Sequence, residues 1–174
     1  MGELGWFTDQ RVELIDGEVV QMPPKKDVHV ACVSLAAKEI ARAFGTGFWV
    51  RQQEPLRLAE SSEPEPDVAV VRGSERDYIG TGHPASALLV IEVADTTLTY
   101  DLGPKASLYA RSGIADYWVI DLTRMLMHVH RDPVNDPTHR FGWRYGSVTS
   151  CGRGEQVRPL AMPSAAVHID HVLP

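Results

Sequence analysis

The stretch ALLVIEVA, residues 87–94, is apolar at every position but one. It lacks the alternation of a half-exposed strand. Such a run suits a strand covered on both faces, the habit of a central strand in an α/β sheet. The exception is Glu92. A carboxylate inside a two-sided apolar strand costs on the order of several kcal/mol unless it is paired, protonated or bound to a cation. Glu92 therefore either reaches a rim, pairs with an arginine, or marks a site.

Toward the C-terminus, Asp101 is placed to cap a helix over 102–112. Pro104 falls in its first turn, where a missing N–H is harmless, and Gly113 follows its end. DYWVIDL (116–122) reads as another apolar strand, and Thr123-Arg124 turns the chain into MLMHVHRD (125–132). The remainder, 132–174, is turn-rich, with strand-like pieces in RYGSVTS and EQVRPL.

Toward the N-terminus, Asp67 opens the short apolar strand DVAVV directly after Pro66, behind the polar loop AESSEPEP (59–66). FWVRQQEPLRL (48–58) reads as a strand interrupted at Pro55. A helix is expected over 28–44, capped by Asp27, with Val30, Val33, Ala37, Ile40 and Phe44 recurring at helical period. In VELIDGEVVQM (12–22) two β-prone runs flank Asp16-Gly17, a strong hairpin signal because both turn residues tolerate positive φ. The order of elements points to an α/β fold: a mixed central sheet flanked by helices, with an N-terminal β-hairpin. At 174 residues and 44% hydrophobic composition, a single domain over 1–174 is expected.

Bulk properties narrow the function classes. The net charge of −6 argues against a broad, tight, non-specific duplex binder, since phosphate neutralisation shows as a basic surplus. A metal-dependent nuclease still fits, because bound cations reverse the field of clustered carboxylates. Two cysteines without CxxC or zinc spacing suit a reducing compartment, and Cys32, in an apolar helical pattern, reads as a buried thiol. MGELGWFTDQ has no apolar signal core and no stretch reaches the ~20 apolar residues of a membrane helix, so the expected location is cytoplasmic. There is no phosphate-binding glycine loop, nucleophile elbow or HExxH.

Two convergent carboxylates recruit Mg²⁺, a hard ion with oxygen ligands that keeps several waters. If the strands of Asp67 and Glu92 are neighbours, both side chains reach one rim of the sheet. Asp67 by itself reads first as turn chemistry after a proline. Lys105 shares a helix side with Leu102, Leu108 and Tyr109, so it either snorkels at the rim or aims at the carboxylates. Glu13 and Glu18 alternate with apolar neighbours and are expected to face solvent, and Glu63 and Glu65 to solvate a loop. His29, in the first turn of its helix, reads as a surface histidine. His128 and His130 share a strand face as an HxH metal pair would, without an acidic third ligand placed by spacing. His168 and His171 carry no pattern.

These motifs in this order, VELIDGEVV, MPP and His29, PDVAVV, LLVIEVA, DLGPKASLY (101–109) and GIADYWVID (113–121), resemble the Uma2 family, also called DUF820. The likeness runs from about residue 11 to 131. That family is assigned to the PD-(D/E)XK nuclease superfamily. The resemblance implies a restriction-endonuclease-like fold and Mg²⁺-dependent hydrolysis of phosphodiester bonds in DNA, with Mn²⁺ as a substitute ion. Asp67 then matches the Asp of the PD element and Glu92 the acidic residue of the following strand. The motif lysine two residues on is replaced by Ala94, and Lys105 on the next helix takes its place. Asp67, Glu92 and the backbone carbonyl of Val93 would hold the metal, and Glu13 matches a further acidic position. Where the family often has Ser-Pro after the Glu-Val, this chain has Ala94, Asp95 and Thr96, and Asp95 either adds charge near a metal or caps a loop. The competing class is a non-catalytic binding or assembly module that kept the nuclease fold. The Met and aromatic residues of 117–127 offer a surface for a homodimer, and no membrane association is expected.

Overall fold

The computed structural model describes residues 11–174, so the decapeptide read above for a signal core lies outside the described residues. Strands β1 (Val12–Ile15) and β2 (Glu18–Gln21) form the expected hairpin as a separate two-stranded sheet. Asp16 and Gly17 both have positive φ, 52° and 85°, as the tight turn requires. Helix α1 spans Asp27–Phe44. Asp27 is its first residue and not its cap: Lys26 holds that position, and the acid in the first turn complements the helix dipole instead. The apolar stripe is Cys32, Val33, Ala36, Ala37, Ile40, Ala43 and Phe44, whereas Val30 is 50% exposed.

Six strands make the main sheet: β3 (Phe48–Gln52), β4 (Val68–Arg72), β5 (Leu89–Ala94), β6 (Asp116–Asp121), β7 (Leu126–Asn135) and β8 (Trp143–Cys151), paired in that order. Every pairing is antiparallel except β5 with β6. The sheet is thus mixed, as expected. β3 stops at Gln52, short of the stretch read to 58, because Gln53 turns the chain with a φ of 55°.

The parallel β5–β6 step needs a crossover, and the crossover is helical. It runs through α2 (Leu98–Tyr100), a π-helical turn (Asp101–Lys105) and α3 (Ala106–Arg111). Asp101 is therefore inside the helical span rather than its cap, and Pro104 lies mid-span. A proline there removes one helical N–H and crowds the preceding turn. The wider π turn accommodates this: the Ala106 N–H reaches back to Asp101 O. Gly113 follows α3 at φ 74°, the left-handed position that ends a helix.

Two apolar layers cover the sheet. Leu89, Ile91, Val93, Trp118 and Ile120 pack on α1 and on the C-terminal segment. That segment holds β9 (Gln156–Val157), β10 (Val167–His168) and α4 (Ile169–Val172). Cys32 is fully buried there and donates its thiol to Val172 O at 3.2 Å. Val90, Ala94, Tyr117, Val119 and Tyr145 pack on α3. Residues 117–121 lie in the sheet interior and Met127 is fully buried, while Leu122, Met125 and Leu126 are half-buried around the exposed turn at Thr123 and Arg124. Among the described residues no helix is long and apolar enough to cross a membrane.

Candidate active site

Strand alternation places Glu92 between Val90 and Ala94, on the α3 face. There it is met from the crossover. Lys105 Nζ donates to Glu92 Oε1 at 2.9 Å, and Tyr109, one helical turn on, donates its hydroxyl to the same oxygen at 2.8 Å. The lysine thus comes from the helix and not from the strand of Glu92. The π turn sets the rotation that points Lys105 inward. Glu92 Oε2 accepts the backbone N–H of Asp67 at 3.3 Å, so the starts of the two motifs touch.

Asp67 stands just before β4. Its Oδ1 meets His29 Nε2 and Gln53 Nε2, each at 3.0 Å, and its Oδ2 accepts the Val93 N–H at 2.9 Å. His29 is therefore a site residue, although its place in a first helical turn read as surface. Burial opposes ionisation of Asp67, but the bonds from His29, Gln53 and Val93 outweigh it and hold the carboxyl below its ordinary pKa.

Pro66 shapes the neighbouring strand. The β4–β5 register pairs Val68 with Ile91, so two residues further along Val93 stands opposite Pro66. A proline has no N–H to give the ladder. The N–H and C=O of an extended residue project the same way, and the Val93 N–H already points at Asp67. The Val93 carbonyl is thus left on the Pro66 side of β5 without a ladder donor.

Glu13 comes from the hairpin. It is buried, not solvent-facing, and sits 3.2 Å from Lys105 Nζ through Oε2. The alternation of β1 was read in the wrong sense: Glu13 and Ile15 point inward, and Val12 and Leu14 are half-buried. Glu13 flanks the lysine rather than converging with Asp67 and Glu92. Asp101 is a fourth buried acid, joined to Thr97 Oγ1.

Exposures of 5% for Glu13, 8% for Asp67, 3% for Glu92 and 4% for Lys105 put this cluster in a low-dielectric pocket. Burial pushes the pKa of Glu92 up to about 8, with Lys105 pulling it down and Asp67, Asp101 and Glu13 adding to the rise. Burial opposes the charge of Lys105 too, yet Glu92, Glu13 and Asp101 hold its pKa well above the ordinary value. The site carries more carboxylate than its own cation balances.

That imbalance, with an unladdered carbonyl beside two carboxylates, fits a hard divalent cation. Among the described residues no three His, Cys, Asp or Glu side chains gather at one point to hold a metal. A cation at Asp67, Glu92 and Val93 O would complete its shell from water and substrate oxygens, the habit of Mg²⁺.

The other candidates go elsewhere. His128 Nδ1 pairs with Ser150 Oγ at 2.8 Å, and its Nε2 is 3.8 Å from Asp121. His130 is buried between Tyr117 and Tyr145, and no third ligand joins the two. Asp95 pairs with Lys26 at 2.7 Å, Glu65 with Arg11 at 3.1 Å, Glu18 with Arg140 at 2.8 Å, and His171 approaches Glu39 at 3.3 Å. Glu63 joins Leu14 through its backbone and lies 3.7 Å from His83. Gln53 and Tyr109 were not singled out from sequence. Gln53 has a structural mark, its left-handed φ of 55°, which aims the amide at Asp67.

Comparison with known proteins bears on the family and the fold. The pattern of the Uma2 family, described as "Putative restriction endonuclease", matches residues 6–165. A DUF820 protein of Anabaena variabilis ATCC 29413, described as a "putative nuclease", has a similar crystal structure. The TM-score is 0.68 over 95% of this chain and 91% of that one, at 16% identity. At that identity the likeness speaks for the fold alone. No curated protein matches the chain.

Proposed function

This chain belongs to the Uma2 family, and from that premise we propose that it is an Mg²⁺-dependent endonuclease hydrolysing phosphodiester bonds of DNA. The observation that carries the reading is the buried Glu92–Lys105 pair set against Asp67 at the open end of β5. Asp67, Glu92 and the Val93 carbonyl are the residues that would hold the ion. A bound Mg²⁺, or Mn²⁺ in its place, supplies an acidified water and offsets charge on the phosphoryl group.

The chain's own groups divide the remaining work. His29 and Gln53 fix one oxygen of Asp67 and the Val93 N–H fixes the other, so that carboxylate is oriented in advance. Tyr109 and Lys105 orient Glu92 in the same way. Lys105 keeps its proton, since three acids stabilise the ammonium. It therefore acts as a cation, placing positive charge and N–H donors where phosphate oxygens gain charge, and not as a base.

The test is cleavage of single-stranded, duplex and branched DNA by the folded protein with Mg²⁺, with Mn²⁺ and with EDTA, beside Asp67→Asn. Metal-dependent cutting lost in the variant is expected. Inertness toward every substrate with both ions overturns the reading.

Two observations favour a second reading, a non-catalytic binding or assembly module. The net charge is −6, and each oxygen of Asp67 and Glu92 already has a donor within the chain. Such a module takes up no Mg²⁺ in calorimetry, and Asp67→Ala leaves its partner binding unchanged.

A further inference from the structure

The catalytic groups line only part of a cavity of about 300 Å³. The rest of its lining is mixed: beside polar side chains such as Gln21, Lys25 and Thr97 it holds an apolar group, Val20, Met22, Pro23 and Pro24, where the chain leaves the hairpin, and Tyr100 on the crossover. Tyr100 is half-buried and close enough to Glu13 and Lys105 to feel both charges. One cavity thus joins a phosphate-reactive group set to an aromatic and aliphatic surface. A nucleotide has the same two parts, a phosphate and a flat base.

Three further observations bear on which nucleic acid fits. The cavity is at the small end of ligand pockets, ~300–1,000 Å³, while duplex grooves alone are ~6–12 Å wide. The reactive side chains are recessed, between 3% and 8% exposed. Finally, the cations at the mouth are engaged by the chain itself: Lys26 with Asp95, Arg11 with Glu65, and Lys25 with Gln53. None of these mouth cations is left over to follow a duplex backbone, in keeping with the net charge of −6. A duplex phosphate is fixed at the surface of a rod with its base turned away. In an unpaired strand the phosphate can descend with its base beside it.

We propose that the Tyr100, Met22 and Pro23 surface is a nucleobase pocket, and that the substrate is an unpaired nucleotide in a single strand or at a strand end. This rests on the phosphodiesterase reading above. Stacking on Tyr100 tolerates any base, because every base has a π face. It places the adjoining phosphate at Glu92 and Asp67.

Fluorescence anisotropy with Ca²⁺ in place of Mg²⁺ tests it on three probes: a ten-nucleotide thymidine strand, the same strand with abasic sites, and a blunt duplex. The thymidine strand is expected to bind at least tenfold tighter than the duplex. Tyr100→Ala should lose about tenfold on that strand and less than twofold on the abasic one, while Tyr100→Phe keeps wild-type affinity. Equal or tighter duplex binding, no binding of any probe, or equal losses on both strands would each overturn the pocket. Tyr100-dependent strand binding without cleavage of any DNA in Mg²⁺ would keep the pocket and remove the endonuclease. Unfolding midpoints of the variants guard against misfolding, with Tyr100→Leu as a second truncation.

Discussion

The ammonium of Lys105 sits 2.9 Å from Glu92 Oε1, and both side chains are all but sealed from solvent. Lys105 also faces Glu13 at 3.2 Å, so one cation serves two buried acids. Removing one partner of a buried pair leaves an uncompensated charge and costs on the order of 3–5 kcal/mol. Lys105→Met is therefore expected to lower the urea midpoint sharply in EDTA. Saturating Mg²⁺ should recover part of the loss, since a cation bound only to the folded state stabilises it. The same loss with and without Mg²⁺ would count against a metal at Glu92.

His29 acts through Asp67, which it meets at 3.0 Å. Groups that orient a metal ligand are worth roughly 10–100-fold in metal affinity or activity. His29→Ala should weaken Mg²⁺ binding by that factor in calorimetry with little change in far-ultraviolet circular dichroism. Unaltered affinity would reduce His29 to a packing residue.

Pro104 keeps the turn before Lys105 wide. Pro104→Ala restores an N–H and allows a regular α-helical turn, which alters the rotation of Lys105 relative to Glu92. Cleavage should fall at least tenfold while thermal stability stays equal or rises. Retained activity would show that the helix can deliver the lysine without the π turn.

His130 supplies the pH dependence. Burial, helped by the neighbouring His128, lowers its pKa from 6.5 to about 4. The unfolded chain therefore binds a proton more readily than the folded one between those values. Stability is intact above pH 6.5 and falls as the pH drops toward 4, by roughly 3 kcal/mol in all. His130→Phe should remove that slope from urea midpoints taken between pH 4 and 7. An unchanged slope would assign it to other groups.

Glu92 was legible in the sequence because a lone acid in a two-sided apolar run is an anomaly of local pattern. The Asp16-Gly17 hairpin and the helical origin of Lys105 were legible for similar reasons: turn chemistry and spacing act over a few residues, and the family resemblance joined them to Asp67. His29, Gln53 and Tyr109 were not, since each earns its place through a partner 38, 14 or 17 residues away. Glu13 was misread because alternation gives two faces without saying which is covered. The π turn replaced a plain helix start because Pro104 falls inside the helical span, where its missing N–H and its ring disfavour a regular α turn.

The β1–β2 hairpin is not hydrogen-bonded into the six-stranded sheet. It is fastened by ties to Ser61, Ser62 and Glu63, and by the outer pairs Arg111–Asp16 and Arg140–Glu18. The machinery thus comes in two pieces with different tolerances. The floor, from Asp67 to Tyr109, must hold its atoms to a fraction of an ångström. The canopy meets that floor through Glu13 on Lys105, while the chain leading on to Met22 and Pro23 can be refitted around that contact. Relatives built this way can change what the cavity admits while keeping the buried charges beneath it.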